Sequence, residues 1–296
     1  MTIDWESVFA SWAQPPGKTE QERCENAEQS IRKAIMSFDK LKYRNIKVFA
    51  QGSYRNRVNV KKDSDVDIGI LCYDTFFPTY PEGITAKSFG HTDATYQYST
   101  FKNDVGEALV NYFGSSVVER GNKTYNVHEN TYHVEADVTP FFEHRRYTSQ
   151  ANYYSGVRLH TDSGEIITNW PEQHYENGIS KNTATGRGFK ALVRTIKSLR
   201  NTMDSAGMDA AKPIQGFDIE CLLWNAPNWC FSHDTWDKDV QSTLAYLWAN
   251  TKTDQLCSDW GEVSELKYLF RGSPSSKREQ AFKFINKSWE VIGVRP

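Results

Sequence analysis

The sequence predicts an α+β fold, and three observations carry that prediction. Short runs rich in β-branched and aromatic residues crowd the stretch that ends near residue 150. From Thr185 onward apolar residues recur at three and four, the helical spacing. The 296 residues are enough to bury a large core, as one large domain or as two lobes. We expect a lobe over residues 1–165 that opens on a long helix and carries a mixed sheet, packed against a helical lobe over 166–296.

The elements follow in order. Pro15-Pro16-Gly17 breaks the chain before the first long helical pattern, Lys18 to Leu41, with Lys18 or Thr19 at its cap. Cys24, Ala27, Ile31, Ala34, Ile35 and Phe38 form its apolar stripe. Asn45 to Ala50 reads as a strand that leads through a Gly-Ser turn into a second strand, Ile68-Gly69-Ile70-Leu71-Cys72. Phe76 to Phe89, punctuated by Pro78, Pro81 and Gly83, reads as a loop and a candidate flap over a site. Ser99 to Phe113 is helical, with Val105, Leu109, Val110 and Phe113 on one side. Val117 to Glu119, Thr124 to His128 and Thr131 to Phe142 read as a small meander. Phe189, Leu192, Val193, Ile196 and Leu199 then mark a helix, and Phe217 to Trp224, Trp236 to Ala249 and Ser276 to Val291 add three more.

Composition bounds the function. Hydrophobic residues make up 39% and charged residues 24%, the balance of a soluble globular protein. There is no apolar run long enough to span a bilayer and no basic-then-apolar leader, so neither a membrane nor export is expected. Five cysteines, Cys24, Cys72, Cys221, Cys230 and Cys257, form no CxxC pair and read as buried or free thiols of a reducing cytoplasm. The net charge of −2 lacks the basic balance of a protein that works on long nucleic acid, and favours a small anionic substrate. No two of the seven histidines stand at metal spacing; His133 and His144 read as ordinary polar groups, and His174 as a structural hydrogen-bonding one.

The chemistry concentrates between Ala50 and Leu71. Asp65 and Asp67 are two apart at the start of a strand, so they share a face, while Val66, Ile68 and Ile70 point the other way. Paired carboxylates repel, more so where water is scarce, and a divalent cation between them removes the conflict. Hard oxygen ligands favour Mg²⁺, whose remaining shell takes water and substrate phosphate. Gly52 lets backbone N–H groups approach a phosphate, and Ser53 adds a hydroxyl donor. Asp63, between lysines and a serine, reads as a solvated turn residue. A further carboxylate, Asp137, lies in the strand-like run Tyr132 to Phe142, where a buried acid needs a partner or a metal. Glu135 shares its parity and is the alternative ligand. A phosphate cradle beside metal-binding carboxylates reads as nucleotidyl transfer.

Gly-Ser, then Asp-x-Asp, then an Asp on a later strand resembles the DNA polymerase β-like nucleotidyltransferases. Longer stretches resemble a branch of that superfamily, the CD-NTases of bacterial anti-phage (CBASS) signalling, relatives of cyclic GMP-AMP synthase and DncV. They are Gly52-Ser53-Tyr54-Arg55-Asn56, Glu135-Ala136-Asp137-Val138, Trp170 to Gly178, Gly186-Arg187-Gly188-Phe189-Lys190 and Phe217 to Asn225. The resemblance implies a polymerase β-like catalytic lobe and a helical lobe closing a nucleotide cleft. It also implies a reaction joining ribonucleoside triphosphates into a cyclic oligonucleotide, with an effector protein that senses the product. Asp65, Asp67 and Asp137 would hold two Mg²⁺ ions, with Mn²⁺ as an alternative.

Arg187, Lys190, Arg194 and Lys197 recur beside the apolar stripe of their helix, and by themselves read as a solvated face. The resemblance instead implies that Lys190, with Arg194 as second choice, reaches the triphosphate. It implies too that Phe217 stacks on a base, although Gly216 stands where the family pattern leads us to expect a phosphate-touching Ser. The alternative function keeps the catalysis and changes the acceptor to an RNA, a protein or a small molecule. A silent nucleotide-binding module is disfavoured because all three acids are present.

Overall fold

The computed structural model describes residues 3–60, 65–129, 135–274 and 276–293. The chain divides into two compact units, and the division is not a single cut near residue 165. One unit gathers residues 17–54 and 64–171; the other gathers 1–16, 55–63 and 172–296.

The strand-bearing unit is built on a seven-stranded mixed sheet. Its strands are β1 (Ile46–Gln51), β2 (Val66–Thr79), β3 (Val118–Arg120), β4 (Tyr125–Val127), β5 (Ala136–Tyr147), β6 (Tyr153–His160) and β7 (Ile166–Asn169). The order is β1-β2-β5-β4-β3, with β6 and β7 continuing from the far part of β5. Among the described strands only β2 and β5 pair in parallel. Val66, Ile68 and Ile70 are buried, as the alternation demands, and Asp67 on the other face is half-buried.

Two helices, α2 (Lys18–Ser37) and α4 (Tyr98–Phe113), pack on each other and on the sheet. They bury Ala27, Ile31 and Ile35 of one expected stripe and Val105 and Leu109 of the other, together with Phe101, although Val110 is exposed. Burying a large apolar side chain such as Ile31 or Leu109 contributes about 1.5–3 kcal/mol.

Two expectations fail in this unit. The segment from Phe76 is not a loop at its start, because β2 runs on to Thr79 after a register shift between Cys72 and Phe76. β1 pairs with β2 only as far as Cys72, so one edge is open beyond it and the missing N–H of Pro78 is tolerated. Strand structure also continues past residue 150 into β6 and β7. Tyr153, Tyr154 and Ser155 in β6 are exposed, and that unburied start hides the strand from a search for apolar alternation.

The helical unit comprises α1 (Trp5–Trp12), α5 (Pro171–Ala184, whose first residue falls in the other unit), α6 (Gly188–Ser205), α7 (Gly216–Trp224), α8 (Trp236–Asn250) and α9 (Ser276–Ile292). α1 and α5 were not anticipated. In α1, Asp4 caps the first turn through the Ser7 amide and hydroxyl, and Trp5, Phe9 and Trp12 fall on one face. Phe9 is fully buried in the core of Phe189, Val193 and Ile196, which is why the chain's start belongs to this unit. All five cysteines are buried free thiols. Among the described residues no helix is long and apolar enough to cross a membrane.

Candidate active site

The acidic group lies in the strand-bearing unit. β1 ends at Gln51, and Gly52 turns the chain at φ +63° into the short helix α3 (Gly52–Asn56). A Cβ added to Gly52 would stand 2.9 Å from the Cγ of Asp67, so any side chain here collides with that carboxylate. Left-handed backbone and close approach both require glycine. Gln51 is the ladder partner of Asp67, and this pairing brings the turn over the acid.

Asp67 and Asp137 are direct partners in the parallel ladder of β2 and β5. Two acids distant in the chain thus stand opposite one another at the start of both strands. Asp65 is exposed, one residue before β2. Burial, and next the charge of Asp65, raise the Asp137 carboxyl above the usual range, while Asn126 opposes that by donating Nδ2 to its Oδ1 at 3.4 Å.

Glu135, the alternative ligand, is drawn elsewhere: its Oε1 lies 3.4 Å from Nδ1 of His128. Asp63 and the run Tyr132-His133-Val134 lie outside the described residues. Among the described residues no three His, Cys, Asp or Glu side chains converge into a ready-made metal site. The donor set nevertheless suits a hard divalent cation, because it is all carboxylate and the ladder holds two of its members opposite each other.

The helical unit carries the basic group, and the reading of a solvated face fails there. Lys190, Arg194 and Lys197 on α6 are all buried, and only Arg187, at the cap, is exposed. Arg194 donates from Nε to the Ala13 carbonyl at 2.9 Å and from Nη1 to the Arg57 carbonyl at 2.6 Å; Nη2 also donates to Ala13. Burial pushes its guanidinium down to about 10. Such a side chain is a strap for the backbone.

Lys190 stands differently. Its Nζ lies 5.6 Å from the centre of the Tyr175 ring, and no hydrogen bond from this ammonium occurs among the described residues. Burial lowers its ammonium below the ordinary lysine range, and Glu220 opposes that shift. Arg55, just after the Gly-Ser turn, reaches the same ring at 4.5 Å and pairs with Glu172 at 2.6 Å.

Phe217 opens α7 with its ring 43% exposed, accompanied by the His174 ring at 5.7 Å. Lys197 explains the unexpected Gly216: a Cβ there would sit 3.0 Å from the lysine's Cε and 3.1 Å from its Nζ. A serine there would need the lysine end to give by a few tenths of an ångström. His174 Nε2 and Glu220 Oε1 lie 3.0 Å apart, too poorly aligned for a good hydrogen bond but close enough for an ion pair. Sequence reasoning missed Lys197, Glu220 and Arg55 as site residues. Each stood in a stretch that had drawn notice, but nothing local tells a buried charge from a solvated one.

Residues 176–293 match the family model of the cGAS/DncV-like nucleotidyltransferase C-terminal helical domain. The chain is 44% identical to a cyclic dipyrimidine nucleotide synthase, CdnE, of Cecembia lonarensis, over 97% of this chain and 98% of that one. It is 40% identical to the cyclic dipyrimidine nucleotide synthase CdnE of Legionella pneumophila, over 99% of both. The solved structure of the Rhodothermus marinus CdnE c-UMP-AMP synthase, with Apcpp and Upnpp, matches with a TM-score of 0.84 at 27% identity, covering 98% of each chain.

Proposed function

This chain belongs to the CD-NTase family of cGAS/DncV-like nucleotidyltransferases, and we propose from that premise that it condenses pyrimidine ribonucleoside triphosphates into a cyclic dinucleotide, releasing pyrophosphate. The observation that carries the reading is the Asp67–Asp137 ladder pair beneath the left-handed Gly52 turn. The pyrimidine preference rests on the dipyrimidine synthases at 44% and 40% identity.

Each of two condensations forms a bond from a sugar hydroxyl oxygen to an α-phosphorus and breaks the bond from that phosphorus to the oxygen bridging to the β-phosphate. Asp65, Asp67 and Asp137 would hold Mg²⁺, which when bound offsets phosphate charge and acidifies the attacking hydroxyl. Asp137, completing that set, helps take the hydroxyl's proton. Ser53 and the amides of the Gly52 turn bind phosphate oxygens. Lys190 and Lys197 supply positive charge to the terminal phosphates, and the exposed ring of Phe217 offers a face to a base. Arg194, with its donors on the Ala13 and Arg57 carbonyls, holds the backbone of its own unit. The cyclic product acts as a cytoplasmic signal read by an effector protein in anti-phage defence.

Mass spectrometry of products from the four ribonucleoside triphosphates with Mg²⁺ tests the reading. A phosphatase-resistant cyclic dipyrimidine nucleotide is expected, since a closed ring has no terminal phosphate. A purine product would overturn the base preference. A linear product, or none until an RNA, protein or small-molecule acceptor is added, would overturn the cyclisation.

A further inference from the structure

Glu220 is a carboxylate only 3% exposed, on α7, one turn beyond Phe217. A buried acid normally turns neutral, because burial penalises its charge. Glu220 does the opposite: burial raises its pKa, but His174, Lys197 and Lys190 together outweigh burial and keep it below the usual range. The carboxylate shares the buried interior of this unit with Lys197 and Lys190, which are themselves 2% and 8% exposed.

We propose that Glu220 is a positioning residue for triphosphate binding, a buried counter-charge that holds the Lys190 ammonium in place. The inference rests on the reading that these lysines serve the terminal phosphates. Buried lysines without a counter-charge lose their protons. Lys190 is faced by Glu220 from α7, by Tyr175 from α5, by Arg57 from the turn after α3 and by Arg194 on its own helix. Of these only Glu220 is anionic, since both arginines act against the lysine's charge. Lys197 lies along the first turn of α7, against Gly216, so the helix that bears the carboxylate also seats the second ammonium. His174 on α5 borders the carboxylate, its Nε2 3.0 Å from Glu220 Oε1.

The test measures binding of a non-hydrolysable α,β-imido analogue of UTP, with Mg²⁺, to the full chain and to Glu220→Gln, with UMP as the control. The glutamine keeps the volume and removes the charge. Analogue affinity should fall about tenfold while UMP affinity stays, because only the terminal phosphates meet the lysines. The pH above which analogue binding weakens should move down by about one unit. In a Lys190→Ala/Lys197→Ala background the same substitution should cost nothing more, since its effect passes through the lysines.

Equal losses for UMP and analogue, an unmoved pH profile, or full additivity in that background would overturn the proposal. If Glu220→Gln does not fold, His174→Gln provides the second arm. By loosening the carboxylate it should weaken the analogue and spare UMP, and the opposite pattern counts against the idea. The lysine variants alone separate the two levels. If they leave analogue binding intact, the triphosphate reading itself fails; if they lose it and Glu220→Gln does not, only the positioning role fails.

Discussion

Asp67 shows how much one residue position can carry. Its backbone pairs with Gln51 on one side and Asp137 on the other, and its carboxylate fills the space below Gly52. Replacing it with Asn keeps the shape and removes a ligand charge. Asp67→Asn should abolish product formation with the melting temperature held or raised, since a repulsive pair is relieved. Full turnover in that variant, or in the native protein with EDTA, would remove the metal from the mechanism.

Gly52 and Ser53 make a sharper contrast. Gly52→Val forces a β-branched residue into left-handed backbone and drives its Cβ into the Asp67 carboxylate, whereas Ser53→Ala deletes one hydroxyl. Triphosphate affinity, read by calorimetry, should suffer more from the glycine change. Equal affinity in both variants would argue against a phosphate cradle at this turn.

At the scale of the element, α6 is a helix whose cations are buried for different ends. Arg194 holds two carbonyls of its own unit, so Arg194→Ala leaves buried acceptors unmet and should lower stability by about 1–3 kcal/mol. Lys190 has the Tyr175 ring and the charge of Glu220 instead. Lys190→Ala should leave the melt nearly unchanged and cut kcat/KM by about ten- to a hundredfold, the worth of a charge-assisted phosphate contact. If the two variants exchange these phenotypes in paired melting and kinetic experiments, the roles given to the two residues are reversed. Helical periodicity placed both side chains on one stripe. Which cation is a strap depends on the carbonyls of Ala13 and Arg57, far away in the sequence.

For the whole molecule, acid should loosen the strand-bearing unit before it titrates most carboxylates. His144 on β5 is 2% exposed, edge-on to Trp170 at 5.8 Å, and burial, then Arg158, push its imidazole down to about 4. His160 shifts the same way for the same reasons. The unfolded chain takes up protons at an ordinary histidine pKa, near 6.5, while the folded chain refuses them at His144 until about 4. Stability from His144 is therefore complete above about 6.5 and is lost as the pH falls toward 4. Thermal melts at pH 7 and pH 5 should show this drop, and His144→Gln should shrink it. An unchanged drop in that variant would assign the acid sensitivity to other groups.

The sequence by itself determined the local grammar. Alternation put Asp67 on the face opposite Val66 and Ile68, the Gly-Ser pair marked the turn, and apolar spacing marked α2, α4, α6, α7, α8 and α9. These follow from backbone periods that act over a few residues. Tertiary structure alone decided which strand lies beside which, and so that Asp67 faces Asp137 while Glu135 turns to His128. It decided as well that α1 joins the helical core, that the end of Lys197 lies against Gly216, and that Glu220 is buried within reach of lysine charge. Periodicity tells a side chain which way to point, but the partner and the dielectric it meets there are set by distant segments.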